Sequence, residues 1–405
     1  MAQGNIAIIG AGLSGLTLAL ALDKQSIPCT IYESRSASLD IGGAIMLSPN
    51  ALRILDAVGI YEQIKPHAFH FKDLHFRTTV PLDSYEFGNQ ERYGYDGVRI
   101  FRYELIKALL ATTKERGIQI QYGKKFVKVL SETETEVFWE FDDGTTGQAA
   151  CLIGADGIHS SVRKYLYPDL EPIFTNTVGV NAAVPTAQLN LPDSFDNPVT
   201  FMNPKHGAFV MAPQLADGSE AFIGKQKRVS ELDREGWAAL LNDKQWCIEF
   251  LRQGAEDFPK VVQNAVSNIE LDRISLWPFY VVPKLDTWTS KHSRVVILGD
   301  AAHAIPPTAG QGVNQAFEDV YTFAVICARC KPQELERGLK IWQHGRQGRV
   351  DRILELNAQI DARRMPKDPG SVPTEIQSRE FDLEWLYSPN FDEMAENWLE
   401  QAIEA

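Results

Sequence analysis

The sequence predicts an α/β protein: a β-α-β domain visited in three segments, a mixed β-sheet domain inserted between them, and a helical C-terminus. Three observations carry that prediction. An apolar run at 5–10 leads through Gly10-Ala11-Gly12-Leu13-Ser14-Gly15 into a small-residue helix at 14–24 and a second apolar run at 28–33. Two further buried runs, 151–155 and the strand within RVVILGDAAH (Arg294 to His303), stop at Asp156-Gly157 and Gly299-Asp300. From about 176 to 275 the texture changes to Pro-punctuated strands such as HGAFVMAPQ and SEAFIGKQ. Buried runs alternating with helical patterns mark parallel βαβ units.

In the opening unit each glycine has a mechanical task. Gly10 makes the tight turn, Gly12 lets a pyrophosphate approach the backbone, and Gly15 lets the helix pack on the strand. Leu13 precedes and Ser14 opens that helix, whose positive end faces the phosphates. Glu33 closes the second strand, where an acid can bind ribose hydroxyls, and Arg35 follows it. Together these specify a Rossmann-like dinucleotide site without choosing between FAD and NAD.

Along the rest of the chain, 50–57 and 103–116 have helical periodicity, and 67–97 is aromatic and strand-like. Phe138 to Thr146 reads as a hairpin on Asp143-Gly144. A helix is expected near 159–166 and another near 230–253; helices dominate from Val313, with a Pro-rich break from Met365 to Pro373. The expected division is 1–70, 98–175 and 276–365 for the nucleotide domain, 71–97 and 176–275 for the inserted sheet, and 366–405 for a helical tail.

At 405 residues, 44% of them hydrophobic, the chain can bury two cores. Its net charge of −13 argues against nucleic acid or a polybasic membrane surface. Cys29, Cys151, Cys247, Cys327 and Cys330 are scattered, as in a reduced compartment. With no secretory signal or bilayer-length apolar run, a soluble cytoplasmic protein without a membrane anchor is expected, monomer or homodimer. Cys327-Ala328-Arg329-Cys330 lies late in a helix, so it reads as structural rather than as a thiol redox pair, and no metal site is expected. The acidic, Trp-bearing stretch from Phe381 to Gln401 reads as an amphipathic helix packing on the body.

CLIGADGIHSSVRKYL and VVILGDAAHAIPPTAGQGVNQAFED, with the opening glycine motif, resemble the three motifs of the single-component (group A) FAD-dependent aromatic hydroxylases. That family includes the 4-hydroxybenzoate and salicylate hydroxylases. The resemblance runs from about Ile6 to Asp319, departing from the pattern at Ala150. It implies FAD, with NADPH or NADH as a transient co-substrate, since only one such glycine turn follows a strand. It also implies O2 activation through a flavin C4a-hydroperoxide and oxygen insertion into an aromatic or polycyclic substrate. Carried onto this sequence, Glu33 would hold the adenosine ribose and Arg102 would lie by the ribityl-pyrophosphate region. Asp156 would shape its loop, Asp300 would bond the ribityl chain, and Pro307 would wall the ring. Gly310, Gly312, Val313 and Asn314 form a loop and helix start whose N–H groups suit negative charge on the flavin. Gly43 and Ala44, in IGGAIMLSPNALRIL, resemble the loop along which the ring moves.

No residue stands out as a catalytic base. His206 and Tyr280 are the candidates, and Met211, Phe222 and Gln226 share their stretches; alternate strand residues face one side, but the sequence does not say which. His303 is expected to pack beside FAD. Two alternatives are a related flavin enzyme, halogenase or dehydrogenase-type, and a non-catalytic flavin-binding scaffold. WPFYVVP (Trp277 to Pro283) lacks the Trp-x-Trp-x-Ile-Pro stretch of the halogenases.

Overall fold

The computed structural model describes residues 4–36, 43–192, 195–364 and 382–404. Five parallel strands form the first sheet, in the order Val295–Ile297, Cys151–Gly154, Ile6–Ile9, Cys29–Glu33, Gln119–Tyr122. Ile6–Ile9 is buried at every position, as a strand covered on both faces must be. From this strand the chain first steps to one side, through the helix Leu13–Lys24 into Cys29–Glu33. The second segment adds Gln119–Tyr122 beyond that strand and Cys151–Gly154 on the other side, where the third adds Val295–Ile297. That reversal opens a crevice at the carboxyl ends of the strands, the usual ligand position in open α/β sheets.

The inserted domain is a seven-stranded sheet ordered Ile274–Val281, Ile173–Pro185, Glu220–Arg228, Gly207–Pro213, Val199–Asn203, Asp73–Arg77, Pro81–Glu86. It is mixed: Val199–Asn203 pairs in parallel with Asp73–Arg77, and its other neighbours are antiparallel. The strand Ile274–Val281 belongs wholly to this sheet, so the sequence division at 275/276 falls inside it. Pro278 is tolerated there because the strand is at the sheet edge. One face buries Val178, Val180, Ala182, Met211 and Ile223 against the helices Arg234–Asn242 and Lys244–Arg252. These replace the single helix expected near 230–253, because Asp243 caps a new start: its carboxylate accepts the Trp246 N–H at 2.9 Å.

A small antiparallel sheet, Ala44–Leu47, Gly97–Phe101 and Phe69–Phe71, stands between the two domains. The helix expected near 159–166 is only Arg163–Leu166. The hairpin forms as expected, Val137–Phe141 pairing with Thr146–Ala149. The C-terminal helix Phe391–Glu404 packs on Gly312–Arg329, where Tyr321 donates to Asp392 at 2.9 Å. The Pro-rich break at Met365 to Pro373 and Gly42 lie outside the described residues.

Candidate active site

One continuous cavity of about 1840 Å³ runs from the opening glycine turn to the seven-stranded sheet. That exceeds the 300–1,000 Å³ or so of an ordinary small-ligand pocket. It has room for an extended cofactor and a second molecule.

At the nucleotide end, the three glycines stand in different surroundings. Gly10 has φ +106°, and a side chain on it would begin 2.7 Å from the Ala155 carbonyl oxygen. A side chain on Gly15 would begin 1.9 Å from the Gly10 carbonyl oxygen, so helix and strand meet only through glycine. A side chain on Gly12 would meet nothing within 4 Å and would project into open space. Glu33 is buried and already oriented: one carboxylate oxygen accepts the Ala11 N–H at 2.9 Å, the other the Arg35 N–H at 2.9 Å. The helix Leu13–Lys24 carries no acid in its first turn, so its positive end is left for a ligand.

The second motif builds a loop around Asp156. One of its carboxylate oxygens, Oδ2, accepts the Ser161 and Val162 N–H groups at 2.7 and 3.2 Å; Oδ1 is buried without a partner among the described residues. Burial pushes this carboxyl above its usual range. Arg163 ties the loop to the third motif: its guanidinium donates to the Ile158 carbonyl at 2.7 Å and the Ala301 carbonyl at 3.1 Å. Ser14 packs against Gly299, closing the link between the first and third motifs.

Asp300 is exposed to the cavity, and its carboxyl is raised by the protein enclosing it, an effect partly offset by His303 and Arg102. Arg102 opens the helix Arg102–Glu115, and its Nε is buried without a partner among the described residues. Beyond it, Pro307–Ala309 forms a turn, Gly310 takes φ +65°, and a helix starts at Gly312, again without an acid in its first turn. This loop is fixed from behind: Asn357 accepts the Ala309 N–H at 2.7 Å, and Asn314 donates to the Gly310 carbonyl at 2.7 Å.

Of the residues expected at the cofactor, Gly10, Gly12, Leu13, Ser14, Glu33, Arg35, Gly43, Ala44, Arg102, Asp156, Asp300, Pro307, Gly310, Gly312 and Val313 line the cavity. Gly15 and Asn314 do not. Gly15 acts through packing, and the Asn314 side chain joins the loop to Met46 and Ser48. His303 also stays behind the wall, its ring tilted against Trp288 and bonded to Asp319 at 2.5 Å.

At the substrate end the sheet register settles which face is open. Gly179, Asn181 and Ala183 lie beside Gln226, Gly224 and Phe222, with Ala208, Val210 and Ser275 on the same side. The floor is therefore mostly small side chains, flanked by Phe222, Trp277 and Phe279. Met211 points to the opposite face, into the helix-covered core. His206 lines the cavity but is bonded to Asp257 at 2.8 Å. Tyr280 lines it too; burial and then Glu231 push its phenol above the usual range, which disfavours its use as a base. Sequence reasoning missed Arg99, Gln214 and Asn181; the alternation of Gly97–Phe101, with Val98 and Ile100 apolar, was the signal for Arg99.

The sequence matches the family described as FAD binding domain over residues 3–356. The chain belongs to that family. It is 28% identical over 400 residues to the 3-amino-4-hydroxybenzoate 2-monooxygenase PtmB3 of Streptomyces platensis, covering 94% of this chain and 95% of that one. With the 6-methylsalicylate 1-monooxygenase atA of Aspergillus terreus it is 27% identical over 381 residues, 86% of this chain and 80% of that one. A solved structure of CtdE in complex with FAD and substrate 4 shares the fold, with TM-score 0.81 and 20% identity across 100% of both chains. So does Klebsiella pneumoniae HpxO complexed with FAD and uric acid, at TM-score 0.76 and 20% identity, over 98% of this chain and 96% of that one. This family member is thus an FAD-dependent enzyme of the monooxygenase kind.

The residues present suit FAD. Gly12 and Gly312 leave open space where side chains would stand, and Asp156 Oδ1 and Arg102 Nε are buried polar atoms still lacking partners among the described residues. Among the described residues no cluster of three metal-ligating side chains occurs, and no helix is long and apolar enough to cross a membrane. Cys327 and Cys330 are buried, and burial pushes both thiols up, away from the thiolate that redox exchange needs.

Proposed function

We propose that this chain is an NAD(P)H-dependent FAD monooxygenase that inserts one oxygen atom from O2 into an aromatic or polycyclic small molecule. In balance, a substrate C–H, O2, NAD(P)H and a proton give C–OH, water and NAD(P)+. The observation that carries this reading is the single cavity joining a dinucleotide-type turn to a small-residue sheet floor.

The activation of O2 and the delivery of one oxygen atom are the chemistry that FAD supplies when bound and reduced. The chain's own residues bind, orient and shield. The Gly10–Gly15 turn and its helix would take the pyrophosphate, with Arg102 beside it. Glu33 would accept from the adenosine ribose and Asp300 from the ribityl hydroxyls, with the Asp156 loop forming the wall. Pro307 would cover the ring face, while Gly310, Gly312 and Val313 would offer backbone N–H groups to its electron-rich edge. Phe222, Trp277 and Phe279 would flank the substrate and limit water, whose access lets O2 be spent as hydrogen peroxide instead of being delivered to the substrate. No second dinucleotide turn follows a strand, which supports a nicotinamide that binds, reduces and leaves.

The test is anaerobic: flavin bleaching is followed after adding NADPH or NADH, with and without phenolic, indolic and polycyclic ligands. Acceleration by one ligand, followed by a hydroxylated product on admitting O2, is the expected result. Bound FAD that neither nucleotide reduces with any ligand would overturn the proposal.

A further inference from the structure

The cavity wall holds a buried cation whose charge is unanswered. Arg99 projects from Gly97–Phe101 on the side opposite the core residues Val98 and Ile100, and is 6% exposed. Its guanidinium lies 4.9 Å from the centroid of the Phe222 ring, on the floor of the substrate end. Of its five N–H donors, one reaches Gln214 Oε1 at 3.2 Å, and Nε is buried with no partner among the described residues. No carboxylate among the described residues lies within ion-pair distance. Glu220 is one side chain further on, bonded by Gln214 at 3.4 Å and already paired with Arg273. Burial alone pushes Arg99 down to about 10, with no neighbouring carboxylate to hold it up. It stays charged at neutral pH. A charge held this way is costly unless something completes it.

Its position fits a ligand group. Met46, its neighbour across the small sheet, also borders Gly310, standing 3.8 Å from where a side chain on that glycine would begin. Arg99 therefore sits between the loop assigned to the flavin ring and the sheet floor, where a substrate must lie. The planar guanidinium fork matches a carboxylate bidentately.

We infer that Arg99, backed by Gln214 and Phe222, is the subsite for an anionic group on the substrate, and that the substrate is an aromatic carboxylate. This rests on the monooxygenase reading for the identity of the site, but its test does not depend on turnover.

Benzoate, 2-hydroxybenzoate and indole-3-carboxylate, each beside its carboxamide, are titrated into FAD-bound enzyme and read by the flavin's visible spectrum. At least one acid should bind the wild type about 30-fold more tightly than its amide, the scale of a buried charge-assisted bond. Arg99→Gln should bring that ratio near one, and Arg99→Lys, keeping the charge without the fork, should retain part of it. FAD content and far-UV dichroism report folding; if the Gln variant fails to fold, a reduced acid preference in the Lys variant decides. An unchanged ratio, or wild type that binds no acid more tightly than its amide, overturns the subsite. So does a variant that changes only FAD retention, which would give Arg99 to the cofactor. Acids that bind through Arg99 while NAD(P)H never reduces the flavin would sink the monooxygenase reading and leave the subsite standing. Hydroxylation of uncharged ligands alone would do the reverse.

Discussion

Two buried guanidinium groups in this molecule live by opposite rules. Arg346 is fully buried behind the Gly299 and Gly310 loops, and every side of it is answered. It bonds Asp319 at 2.7 Å and Gln315 Oε1 at 2.8 Å, and it pairs with Glu318. Glu318 also takes Arg349 at 2.5 Å and Asn50 at 2.7 Å, and Asp319 takes the Gly299 N–H at 2.8 Å. Burial pushes the Asp319 carboxyl up, but His303 and Arg346 outweigh it and hold it below its usual range. Arg99 has one amide and one aromatic face. A closed network positions backbone; an open charge awaits a ligand. The contrast separates residues that build a site from residues that read what enters it.

The largest expected effect breaks that contrast directly. Arg346→Met leaves Glu318 and Asp319 facing fewer cations in a dry interior, and should cost about 3–5 kcal/mol in urea unfolding. Arg99→Met removes a charge that had no counter-ion and should leave stability unchanged or raise it by about 1 kcal/mol. Comparable losses in both variants would mean that Arg99 is structural after all.

An intermediate effect concerns Asp300, whose carboxyl is raised because the protein enclosing it desolvates its charge, an effect that His303 and Arg102 offset only in part. A raised carboxyl takes up its proton at a pH above the ordinary value of about 3.9. Acidification therefore favours the folded protein without cofactor, yet removes the carboxylate that would accept ribityl hydroxyls. FAD affinity should thus fall as pH drops through this raised value, with the fall starting above the ordinary carboxylate range. Asp300→Asn should bind FAD more weakly at neutral pH and lose that acidic step, as read by equilibrium dialysis across pH. A wild-type affinity flat on acidification would remove Asp300 from cofactor binding.

Legibility in the sequence follows the same divide. The nucleotide half could be read because its geometry is backbone geometry: only glycine fits at Gly10 and Gly15, and a spacing rule locates Glu33. The substrate half could not, because its meaning lies in register. The strand pattern of Ile173–Pro185 announces two faces, but only pairing with Glu220–Arg228 says that Gly179 and Asn181 are open and Val178 and Val180 are not. His303 shows the limit from the other side. Its motif placed it near the cofactor, while its ring belongs to a network closed by Asp319, sixteen residues along the chain.

The smallest effect tests that register. Phe222 and Met211 lie on neighbouring strands and were equal candidates by sequence; the pairing Met211 to Ile223 puts Met211 with the helix-facing set and Phe222 on the floor. Met211→Leu is a near volume-conserving core swap and should cost under about 1.5 kcal/mol with ligand preference unchanged. Phe222→Leu should leave stability within a similar margin but shift the relative binding of aromatic acids several-fold, because the ring also shields the Arg99 guanidinium, a contact of about 0.5–2 kcal/mol. Ligand preference that moved with Met211 and not with Phe222 would invert the sheet. The small-residue floor would then have to be sought among Val178, Val180 and Ala182, where the helices leave no room.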